Sequence, residues 1–454
     1  MRVEINREFL AQLKDYISIK ANSEIEEMLH YLHPADIAEI MEELSSDEAR
    51  HLYSLLDSEL ASDVIVELRE EDRNQLLKVL SPEIIASKFI EHMDSDDAAD
   101  IIGDLDDDLK EAILLRIEDK EQAGDIADLL EYDEDTAGGL MAKELVKVNE
   151  NWTVQTCLKE ISRQAEEIDE IYCVYIVDDD DILKGVLSLS KLIQNSTHTI
   201  IRDIISPSES QSVRTDTHQE EVAQIMEKYD LVVLPVVDNL GRLKGRITID
   251  DVVDVIREEA EKDYQMVSGI SGDIDASDKV ILQTKARIPW LVVGTIGGLA
   301  GAHVLGMNSD TLNEFPAMAF FIPLITATAG NVGVQSSSIV VQNIAAGSRM
   351  LDSFWQKIRK EFSVGTVTAT FFASIIFVYN FLFSDNFVLT LAVSCTLFAV
   401  IIFASMFGTF IPLLLHKLKI DPALATGPFI TTTNDVLGLL LYMFVSRGLF
   451  LLFL

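Results

Sequence analysis

Apolar residues are distributed unevenly along this chain. The part after residue 284 consists of long apolar segments separated by short polar stretches, at Ile288–Met307, Pro316–Ile344, Phe362–Phe383, Phe387–Leu415 and Ala423–Leu454. The first segment has 20 residues, and as a helix it is about 30 Å long, which matches the hydrocarbon core of a bilayer. The pattern predicts a membrane domain of five helices over residues 285–454.

A short repeat of apolar residues runs through residues 32–117. The repeated positions are twelve residues apart, with one step of thirteen, at Leu32, Leu44, Leu56, Leu68, Leu80, Met93, Leu105 and Ile117. Helix-start signals such as Pro34 and Pro82 follow two of them, since proline is favoured at the first position of a helix. So short a repeat predicts one brief helix per unit, stacked into an all-α superhelix over residues 1–134.

A longer repeat, with a period of 60 residues, occupies residues 138–258. The segments VD at 177–178 and LKG at 183–185 recur at 237–238 and 243–245. In each copy a strand-like run precedes the turn, and a second strand and a helix follow it. This β-turn-β-α arrangement resembles a tandem pair of CBS domains. It predicts one α/β module over residues 138–200 and another over residues 201–258.

The second module also contains a pattern associated with nucleotides. Gly245, Thr248 and Asp251 have the spacing G-x-x-T-x-x-D, which resembles the ribose-phosphate signature of nucleotide-binding CBS domains. The first module has Ser188 and Lys191 in the matching places. One complete site is therefore implied, in which Thr248 and Asp251 would bind ATP or another adenine nucleotide. The alternative is a module without a ligand, since many functions share one fold.

Acidic residues are concentrated before the apolar segments. The chain has 75 Asp and Glu against 36 Lys and Arg, and only seven of those acids lie after residue 284. A soluble part this negative argues against nucleic acid as a partner and favours divalent counter-cations. The densest group lies at 94–108, where Asp94 and Asp97 are candidate cation ligands. The ordinary explanation for such acids is that they are solvated helix caps.

The helix that follows the second module leads almost directly into the first apolar segment. It is predicted over residues 250–275, and its acids include Asp251, Asp254, Glu258, Glu259, Glu261 and Asp263. Four of these fall on one face, and like charges one turn apart repel each other. A solvated face is one explanation. The other is a charge-sensitive connector between the acidic part and the membrane domain.

The last apolar segment contains a carboxylate, Asp435, within a run that otherwise predicts a membrane span. An ionisable side chain at that depth costs about 3 kcal/mol, so we expect it to face a partner, a cavity or an ion path. Gly427 and Pro428 lie upstream and interrupt the helix. Residues 431–434 (TTTN), including Thr432, add oxygen ligands. These features predict a cation pore.

The second apolar segment supplies a candidate for the other wall of this pore. Gly330, Asn331 and Gly333 lie there within the string TATAGNVGVQSS. Close helix packing is the alternative use of such small and polar residues. Beside Asp435 and the broken helix that precedes it, however, the string predicts a second pore-lining helix.

Charged residues between the apolar segments predict their orientation. Basic residues flank one side of the predicted membrane, at Lys279, Lys285, Arg287, Arg349, Lys357, Arg359, Lys360, Lys417 and Lys419. The opposite loops have none and instead carry Asp310, Glu314 and Asp385, which attract cations. By the positive-inside rule the N-terminus is cytoplasmic and the C-terminus lies outside a plasma membrane. Arg447 is the one outer exception.

Two strings in the membrane part are specific to a known family. TATAGNVGVQSS and DPALATGPFITTTNDVLGLLLY, with the five spans and the acidic helical-repeat and CBS part, resemble the MgtE family of magnesium channels. The resemblance covers essentially the whole chain. It implies a homodimer with an Mg²⁺ pore on its two-fold axis, Asp435 as the pore acid and Asn331 in the matching motif. The sensing carboxylates of the connecting helix would be Asp251, Asp254, Glu258, Glu259 and Asp263.

The predicted function is Mg²⁺ uptake through a channel that cytosolic Mg²⁺ closes by bridging acidic side chains. The connecting helix would then plug the pore, as the resemblance implies. Two alternatives stay open. A secondary carrier for divalent cations would usually have more ionisable residues in its spans, and a nucleotide-sensing CBS membrane protein without transport would leave Asp435 unexplained. An enzyme is not expected, because the sequence contains no nucleophile–base pair or phosphate-binding loop.

Overall fold

The computed structural model describes residues 5–165, 168, 171–205, 211–272, 274, 279–345, 354–384 and 386–453. The chain divides into two compact units, Met1–Ile256 and Arg257–Leu454. Two residues that entered the orientation argument, Arg349 and Asp385, lie outside the described residues. Residues 273 and 275 of the predicted connecting segment lie outside them as well.

The first unit begins with a series of short helices. They are α1 (Arg7–Ile19), α2 (Asn22–Leu29), α3 (Pro34–Glu42), α4 (Ser46–Leu55), α5 (Ser58–Val66), α6 (Glu70–Leu77), α7 (Pro82–Lys88), α8 (Ser95–Gly103), α9 (Asp107–Leu114) and α10 (Lys120–Leu129). A single 3-10 turn, Ile90–His92, lies between α7 and α8. The prediction of one brief helix per repeat unit is confirmed.

Local signals decide where these helices begin. Pro34 and Pro82 occupy the first positions of α3 and α7, as predicted. At the start of α4 the backbone N–H of Ser45 donates to the carboxylate of Glu48 at 2.8 Å, which is one half of a capping box. Such start signals, which recur at several of the helices, keep the helices short and let the chain turn about every twelve residues.

The repeated apolar residues lie in the turns between these helices. Leu56 and Leu68 are each less than a tenth exposed, and Ile117 is completely buried. They belong to one continuous apolar core that runs through the first unit. Each turn therefore contributes one apolar residue to a core shared with its neighbours, which is the packing expected of a repeat architecture.

Two α/β modules follow the helical part. The first contains β1 (Lys147–Asn149), α11 (Val154–Gln164), β2 (Val174–Val177), β3 (Leu183–Leu187) and α12 (Leu189–Gln194). The second contains β4 (Val213–Arg214), α13 (Gln219–Tyr229), β5 (Val233–Val237), β6 (Leu243–Thr248) and α14 (Ile249–Val267). In both sheets the first strand pairs parallel with the second, and the second pairs antiparallel with the third.

The sequence repeat corresponds to the same turn in both modules. The Asp178 carboxylate accepts the backbone N–H of Ile182 at 3.0 Å, and the Asp238 carboxylate accepts that of Arg242 at 2.9 Å. Each aspartate thereby closes the hairpin between the last two strands of its module. The recurrence of Asp at both positions therefore reflects turn geometry, and the tandem CBS prediction is confirmed.

Helix α14 corresponds to the predicted connecting helix and is shorter than predicted. It ends at Val267, two residues before Gly269, which has a φ of 78°. Glycine adopts this left-handed conformation without strain, and it commonly terminates helices. Sequence periodicity alone did not locate this stop.

Within the described residues, five helices of the second unit are long and apolar enough to cross a membrane. They are α15 (Val280–Met307), α17 (Ile322–Ala345), α18 (Phe354–Phe383), α19 (Phe387–Lys417) and α20 (Pro428–Phe453). A short helix, α16 (Ser309–Glu314), and a 3-10 segment, Pro316–Phe321, connect α15 to α17. Another 3-10 segment, Pro422–Ala425, precedes α20.

The helices extend beyond or fall short of the apolar segments predicted from hydropathy. Helices α15 and α18 each start eight residues earlier than predicted, because residues such as Lys285 and Lys357 favour helix although they are not apolar. Helix α20 starts later, at Pro428. The predicted interruption at Gly427 and Pro428 is confirmed, since Gly427 has a φ of 53°.

Helix α19 lies at the centre of the membrane unit. Its most apolar stretch is 56% buried, against 11% for α15 and for α18, and it packs against α17, α18 and α20. The hydroxyl of Tyr442 on α20 donates to the backbone carbonyl of Met318 at 2.9 Å, and both groups are buried. Helices α15 and α18 therefore lie at the periphery of the membrane unit, with most of their surface exposed.

Candidate ion pathway and cation-binding cluster

Asp435 lies on the part of α20 that packs against α17. Its Oδ1 atom is inaccessible to solvent and has no hydrogen-bond partner among the described residues. A β-carbon added to Gly330 of α17 would lie 3.2 Å from this oxygen and 3.0 Å from Thr431 Cγ2. The carboxylate is therefore held against the backbone of α17, at a place where only glycine leaves ample room.

The neighbouring side chain, Asn434, forms the closest contact between these helices. It is completely buried, and neither its Oδ1 nor its Nδ2 has a hydrogen-bond partner among the described residues. A β-carbon at Gly333 would overlap Asn434 Nδ2, and one at Gly408 of α19 would overlap the backbone carbonyl of Gly333. Helices α17, α19 and α20 thus approach each other at glycine residues next to Asp435.

We expect Gly333→Ala to destabilise the membrane unit by about 1–3 kcal/mol, because the added methyl group overlaps Asn434 and forces α17 and α20 apart. The measurement is the thermal denaturation of the purified full chain in detergent, with Mg²⁺ flux in proteoliposomes as the second readout. Gly298→Ala on α15 is the matched control, since nothing lies within 4 Å of its added β-carbon. Equal melting temperatures for the two variants would contradict this packing.

The other predicted pore residues lie on the same two helices. Asn331 is exposed in the single chain, next to Gly330. Thr432 is half-buried, and its methyl group fills the space that a β-carbon would take at Gly297 of α15. Thr432 and Asp435 are three residues apart and therefore share one face of α20. The structure brings Asp435 against α17, whereas Thr432 packs on α15.

The end of α14 contacts the beginning of α20. A β-carbon at Gly427 would overlap the backbone carbonyl of Val267, and one at Gly269 would lie 2.6 Å from Pro428 Cγ. Both glycines have positive φ angles, of 53° and 78°. The last turn of α14 and the first turn of α20 are therefore in backbone-to-backbone contact, seven residues before Asp435 along α20.

At the opposite end of α20 a cavity of about 430 Å³ contains the acids predicted for the outer loops. Its lining includes Asp310, Glu314 and Arg447. The rings of Phe315 and Phe450, which also line it, are stacked with their centroids 3.7 Å apart. Arg447 therefore lines the same cavity as the two acids, and its charge offsets part of the negative charge that the sequence predicted for the outer loops.

The first unit contains an acidic cluster, which we define as Asp94, Asp96, Asp97, Asp100, Glu144 and Asp251. Within the described residues, Asp94, Asp96 and Glu144 each offer one oxygen, and these oxygens lie within 4.8 Å of one another. Glu144 accepts the backbone N–H of Ser95 at 3.1 Å and its hydroxyl at 2.8 Å. The start of α8 thereby fixes the orientation of the Glu144 carboxylate.

Burial and mutual repulsion perturb the acids of this cluster. Burial, followed by the negative charges of Asp97 and Asp251, raises the pKa of Asp96 well above its usual value. Burial also raises the pKa of Asp97 and of Asp100 to about 7, and the charge of Asp251 adds to both shifts. Carboxylates this close and this buried require protons or cations to coexist.

Basic side chains compensate the cluster only in part. A guanidinium nitrogen of Arg246 lies 3.4 Å from Asp94 Oδ2, and Arg246 is 6% exposed. Arg73 pairs with Asp104 at 2.7 Å, and its charge lowers the pKa of Asp100 less than burial raises it. When its carboxylates are ionised, the cluster therefore has more negative than positive charge.

Thr248 and Asp251, the predicted nucleotide ligands, hydrogen-bond to each other. The Thr248 backbone N–H and hydroxyl donate to Asp251 Oδ2 at 3.0 and 2.7 Å. Burial still raises the pKa of Asp251, with those hydrogen bonds opposing the shift. The structure thus places Asp251 in the acidic cluster, where carboxylates repel phosphate groups and attract cations.

The acids of the connecting helix outside this cluster are less enclosed. Asp254 and Glu258 are exposed, and Asp263 is half-buried. Glu259 forms an ion pair with Lys262 at 3.1 Å. Among the described residues, the group of carboxylates close enough to share a metal ion is Asp94, Asp96 and Glu144, and it includes none of these four acids. Their sensing role therefore stays a prediction.

Sequence reasoning identified Asp94, Asp97 and Asp251 and missed the rest of the cluster. Asp96 and Asp100 belong to the same helix, α8, and the (i, i+4) spacing between them was a usable signal. Glu144 comes more than 40 residues later, and no local pattern connects it to α8. Folding alone brings it there.

The five apolar helices, the paired α/β modules and the acidic cluster fit one class of protein, a transporter of divalent cations with several membrane spans. Family models match accordingly: the divalent cation transporter family MgtE over residues 322–445, the MgtE intracellular N domain over residues 32–135, and CBS domains over residues 137–197 and 201–258. The chain belongs to the MgtE family of magnesium transporters, as the resemblance in the sequence implied.

Relatives of known function match most of the chain. The magnesium transporter MgtE of Thermus thermophilus is 34% identical over 431 residues, which are 93% of this chain and 94% of the relative. That of Bacillus subtilis is 30% identical over 92% of both chains. A crystal structure of the cytosolic domain of the Mg²⁺ channel MgtE in complex with ATP is 36% identical, with a TM-score of 0.51, and covers 54% of this chain and 99% of that one.

Proposed function

We propose that this protein is a homodimeric Mg²⁺ channel of the plasma membrane, with Asp435 of each protomer as the pore acid. The observation that carries the proposal is the Asp435 Oδ1 atom, which is buried against Gly330 and unpaired among the described residues. A membrane carboxylate without a partner is costly unless an ion or a second chain completes its site. The proposal also places the first unit in the cytosol and the C-terminus outside.

The ligand set fits an ion that keeps its water. Mg²⁺ prefers six oxygen ligands in octahedral geometry and gives up its waters reluctantly. One carboxylate per protomer, with the Asn331 and Thr432 side chains nearby on the same two helices, is too small a set for a dehydrated ion. Two such sets across a two-fold axis would hold a hydrated ion weakly enough for it to leave, which conduction requires.

The acidic cluster is the proposed sensor. Repulsion among Asp97, Asp100 and Asp251 opposes the packing of α8 against the second CBS module in the absence of cations. Divalent ions that bridge these carboxylates remove the repulsion and favour the compact state. A ligand shifts such an equilibrium only by its preference for one state, and about 5.5 kcal/mol suffices for a nearly complete switch.

Helix α14 is the proposed connection between sensor and pore. It begins one residue after Thr248, so that Asp251 lies in its first turn, and its last turn contacts Gly427 and Pro428 at the start of α20. A change in the cluster can therefore move the segment that precedes Asp435. The exposed acids Asp254 and Glu258, with Glu259 and Asp263, are proposed as further Mg²⁺ ligands of this helix in the closed dimer.

An adenine nucleotide is a proposed second ligand of the CBS modules. The ATP complex of the related cytosolic domain supports this proposal. Because carboxylates surround Asp251, its contact would be to the ribose, and the phosphates would lie away from the acidic cluster. Binding at Thr248 and Asp251 requires that the ribose hydroxyls replace or join the Thr248 hydrogen bonds.

A secondary carrier is the second candidate, and one observation favours it. Helix α18 contains Glu361, a second carboxylate among the membrane helices, and carriers commonly use several ionisable residues. Single-channel recording from the purified chain in planar bilayers separates the two. Discrete openings whose frequency falls as Mg²⁺ is added on the side of the first unit support the channel, and saturable flux without openings supports the carrier.

We expect the first unit to lose stability as pH rises from about 4 to about 7 without Mg²⁺. Folding raises the pKa values of Asp97 and Asp100 from 3.8 to about 7. Folding therefore favours their protonated forms, and the benefit is lost as pH rises through the folded pKa. Mg²⁺ competes with protons for the same oxygens, so its stabilising effect should be larger at about pH 8 than at about pH 5.5.

The measurement is the melting temperature of the full chain in detergent with and without Mg²⁺ at both pH values. Asp107→Asn with Asp108→Asn is the control, because these acids are exposed on α9 and their removal should leave the pH dependence unchanged. An Mg²⁺-induced shift that is equal at both pH values contradicts the assignment of these ions to the acidic cluster.

A further inference from the structure

Glu361 lies in the second turn of α18, where it joins three membrane helices. Its Oε1 atom accepts a hydrogen bond from the Ser336 hydroxyl of α17 at 2.7 Å and another from the Ser405 hydroxyl of α19. In the sequence Glu361 follows three basic residues at the edge of an apolar segment, so that only Asp435 stands out as a carboxylate inside the spans. The structure shows Glu361 in contact with two buried side chains.

The junction is tightly packed. Ser336 is 6% exposed and Ser405 is 2% exposed. A β-carbon added to Gly365, one turn after Glu361 on α18, would lie 3.1 Å from Ser405 Oγ. The approach of α18 to α19 therefore depends on glycine, and it places Glu361 within reach of both hydroxyls.

The two serines depart from the usual behaviour of hydroxyls in membrane helices. Ser363, Thr366 and Ser374 of α18 each donate to the backbone carbonyl four residues earlier in their own helix, which is the common arrangement. Ser336 and Ser405 instead donate between helices to one carboxylate oxygen. Hydrogen bonds to a charged acceptor are roughly twice as strong as neutral ones, so this junction ties α17 to α19 more firmly than packing alone.

No basic side chain lies within ion-pair distance of Glu361 in the part of the chain that the structure describes. A carboxylate among apolar helices is costly without compensation. The two hydroxyls supply that compensation, and both act on Oε1. Loss of either would leave the charge less well stabilised, so the three side chains form one interdependent unit.

The junction is coupled to the pore acid through α17. Ser336 follows Gly333 by three residues and Gly330 by six, which is about 9 Å along the helix. Gly330 and Gly333 are the residues against which Asp435 and Asn434 of α20 pack. Whatever fixes Ser336 against α18 and α19 therefore also fixes the distance between α17 and the pore acid.

We propose that Glu361 is a positioning residue of the ion pathway. It holds α17 through Ser336 and α19 through Ser405, so that Gly330 and Gly333 stay packed against Asp435 and Asn434. This inference rests on the proposed role of Asp435. Glu361 touches no ion in this role and acts through α17. A carboxylate suits the task because it only accepts hydrogen bonds, so both hydroxyls can donate to it.

The test compares three variants of the full chain in proteoliposomes loaded with a Mg²⁺-sensitive dye. Glu361→Ala removes the acceptor, Ser336→Ala with Ser405→Ala removes the donors, and Glu361→Gln keeps an uncharged acceptor. We expect the first two to lower the maximal Mg²⁺ flux about tenfold and to change the ratio of Mg²⁺ to Ca²⁺ flux, since two interhelical hydrogen bonds are lost. Glu361→Gln should stay within about threefold of the parent chain.

Two further results bear on the mechanism. The combined variant lacking Glu361 and both serine hydroxyls should be no worse than Glu361→Ala, because the three side chains act as one unit. If Glu361→Ala fails to fold, the double serine variant, which keeps every backbone contact, decides the matter. A changed cation ratio in a variant that melts like the parent chain excludes a merely structural role.

Three outcomes overturn the proposal. If Glu361→Gln is as damaging as Glu361→Ala while the double serine variant is normal, Glu361 binds the ion itself. If Glu361→Ala and the double serine variant both conduct normally while Asp435→Asn does not, the junction has no role in conduction. If Asp435→Asn conducts normally, the pore assignment on which the inference rests fails, and this result is distinguishable from the other two.

Discussion

Mg²⁺ flux should fall about a hundredfold when Asp435 is replaced by Asn. The substitution keeps the size of the side chain and removes its charge, which we expect to weaken the hydrated ion's site by about 2–3 kcal/mol. The Oδ1 atom lies against Gly330 and has no described protein partner, so the loss of charge breaks no hydrogen bond within the described chain. The effect should therefore be on conduction and not on folding.

The measurement is Mg²⁺ uptake by proteoliposomes that contain the purified full chain, with the melting temperature recorded in parallel. Asp310→Asn is the matched control, because this exposed carboxylate lines the cavity at the far end of α20 and lies outside the proposed Asp435 site. Asp435→Glu should keep part of the flux, since it retains the charge but moves it by one methylene. Uptake by Asp435→Asn within twofold of the parent chain would rule out a pore centred on this residue.

The second large effect is expected at the sensor. Asp97→Asn combined with Asp100→Asn should leave a channel that conducts and that cytosolic Mg²⁺ no longer suppresses below about ten times the usual concentration. Burial raises the pKa values of both carboxylates to about 7, and the charge of Asp251 adds to each shift. Their neutralisation removes both the repulsion and the ligands through which Mg²⁺ would relieve it.

The same variant makes a second, independent prediction about stability. Without Mg²⁺ its first unit should melt at a higher temperature than that of the parent chain at about pH 8, because the uncompensated charges are gone. Patch recordings with Mg²⁺ varied on the side of the first unit measure the suppression. Asp107→Asn with Asp108→Asn is again the control. Normal suppression in the Asp97 and Asp100 variant would remove the cluster from the gating mechanism.

Local sequence patterns predict the apolar segments and repeats of this chain well, and they predict the ends of its helices poorly. The apolar segments and the twelve-residue repeat were found because burial imposes a periodicity on neighbouring residues. Helix ends were found less well. Helix α14 ends at Val267, two residues before Gly269, whose backbone conformation the periodicity does not record, and α15 begins eight residues before its apolar segment. Asp435 stood out because a charge in an apolar run is itself a local signal.

The residues that sequence reasoning missed have no such signal. Glu144 joins the acidic cluster from a loop more than 40 residues beyond α8, and among so many acids nothing local distinguished it. Glu361 follows three basic residues, so its position at the edge of an apolar segment concealed the contact with Ser336 and Ser405. In both cases the partner side chains come from distant elements.

By itself the sequence determined the classes of element, the order of the soluble modules, the five spans and the lone acid in the last of them. These follow from local periodicity and from the cost of placing charge among apolar residues. The tertiary structure decided which acids converge on α8 and that Thr248 hydrogen-bonds to Asp251. It also decided that glycines bring α17 into backbone contact with α19 and against side chains of α20. Those facts depend on distances between residues far apart in the chain, which only the packing of the whole fold fixes.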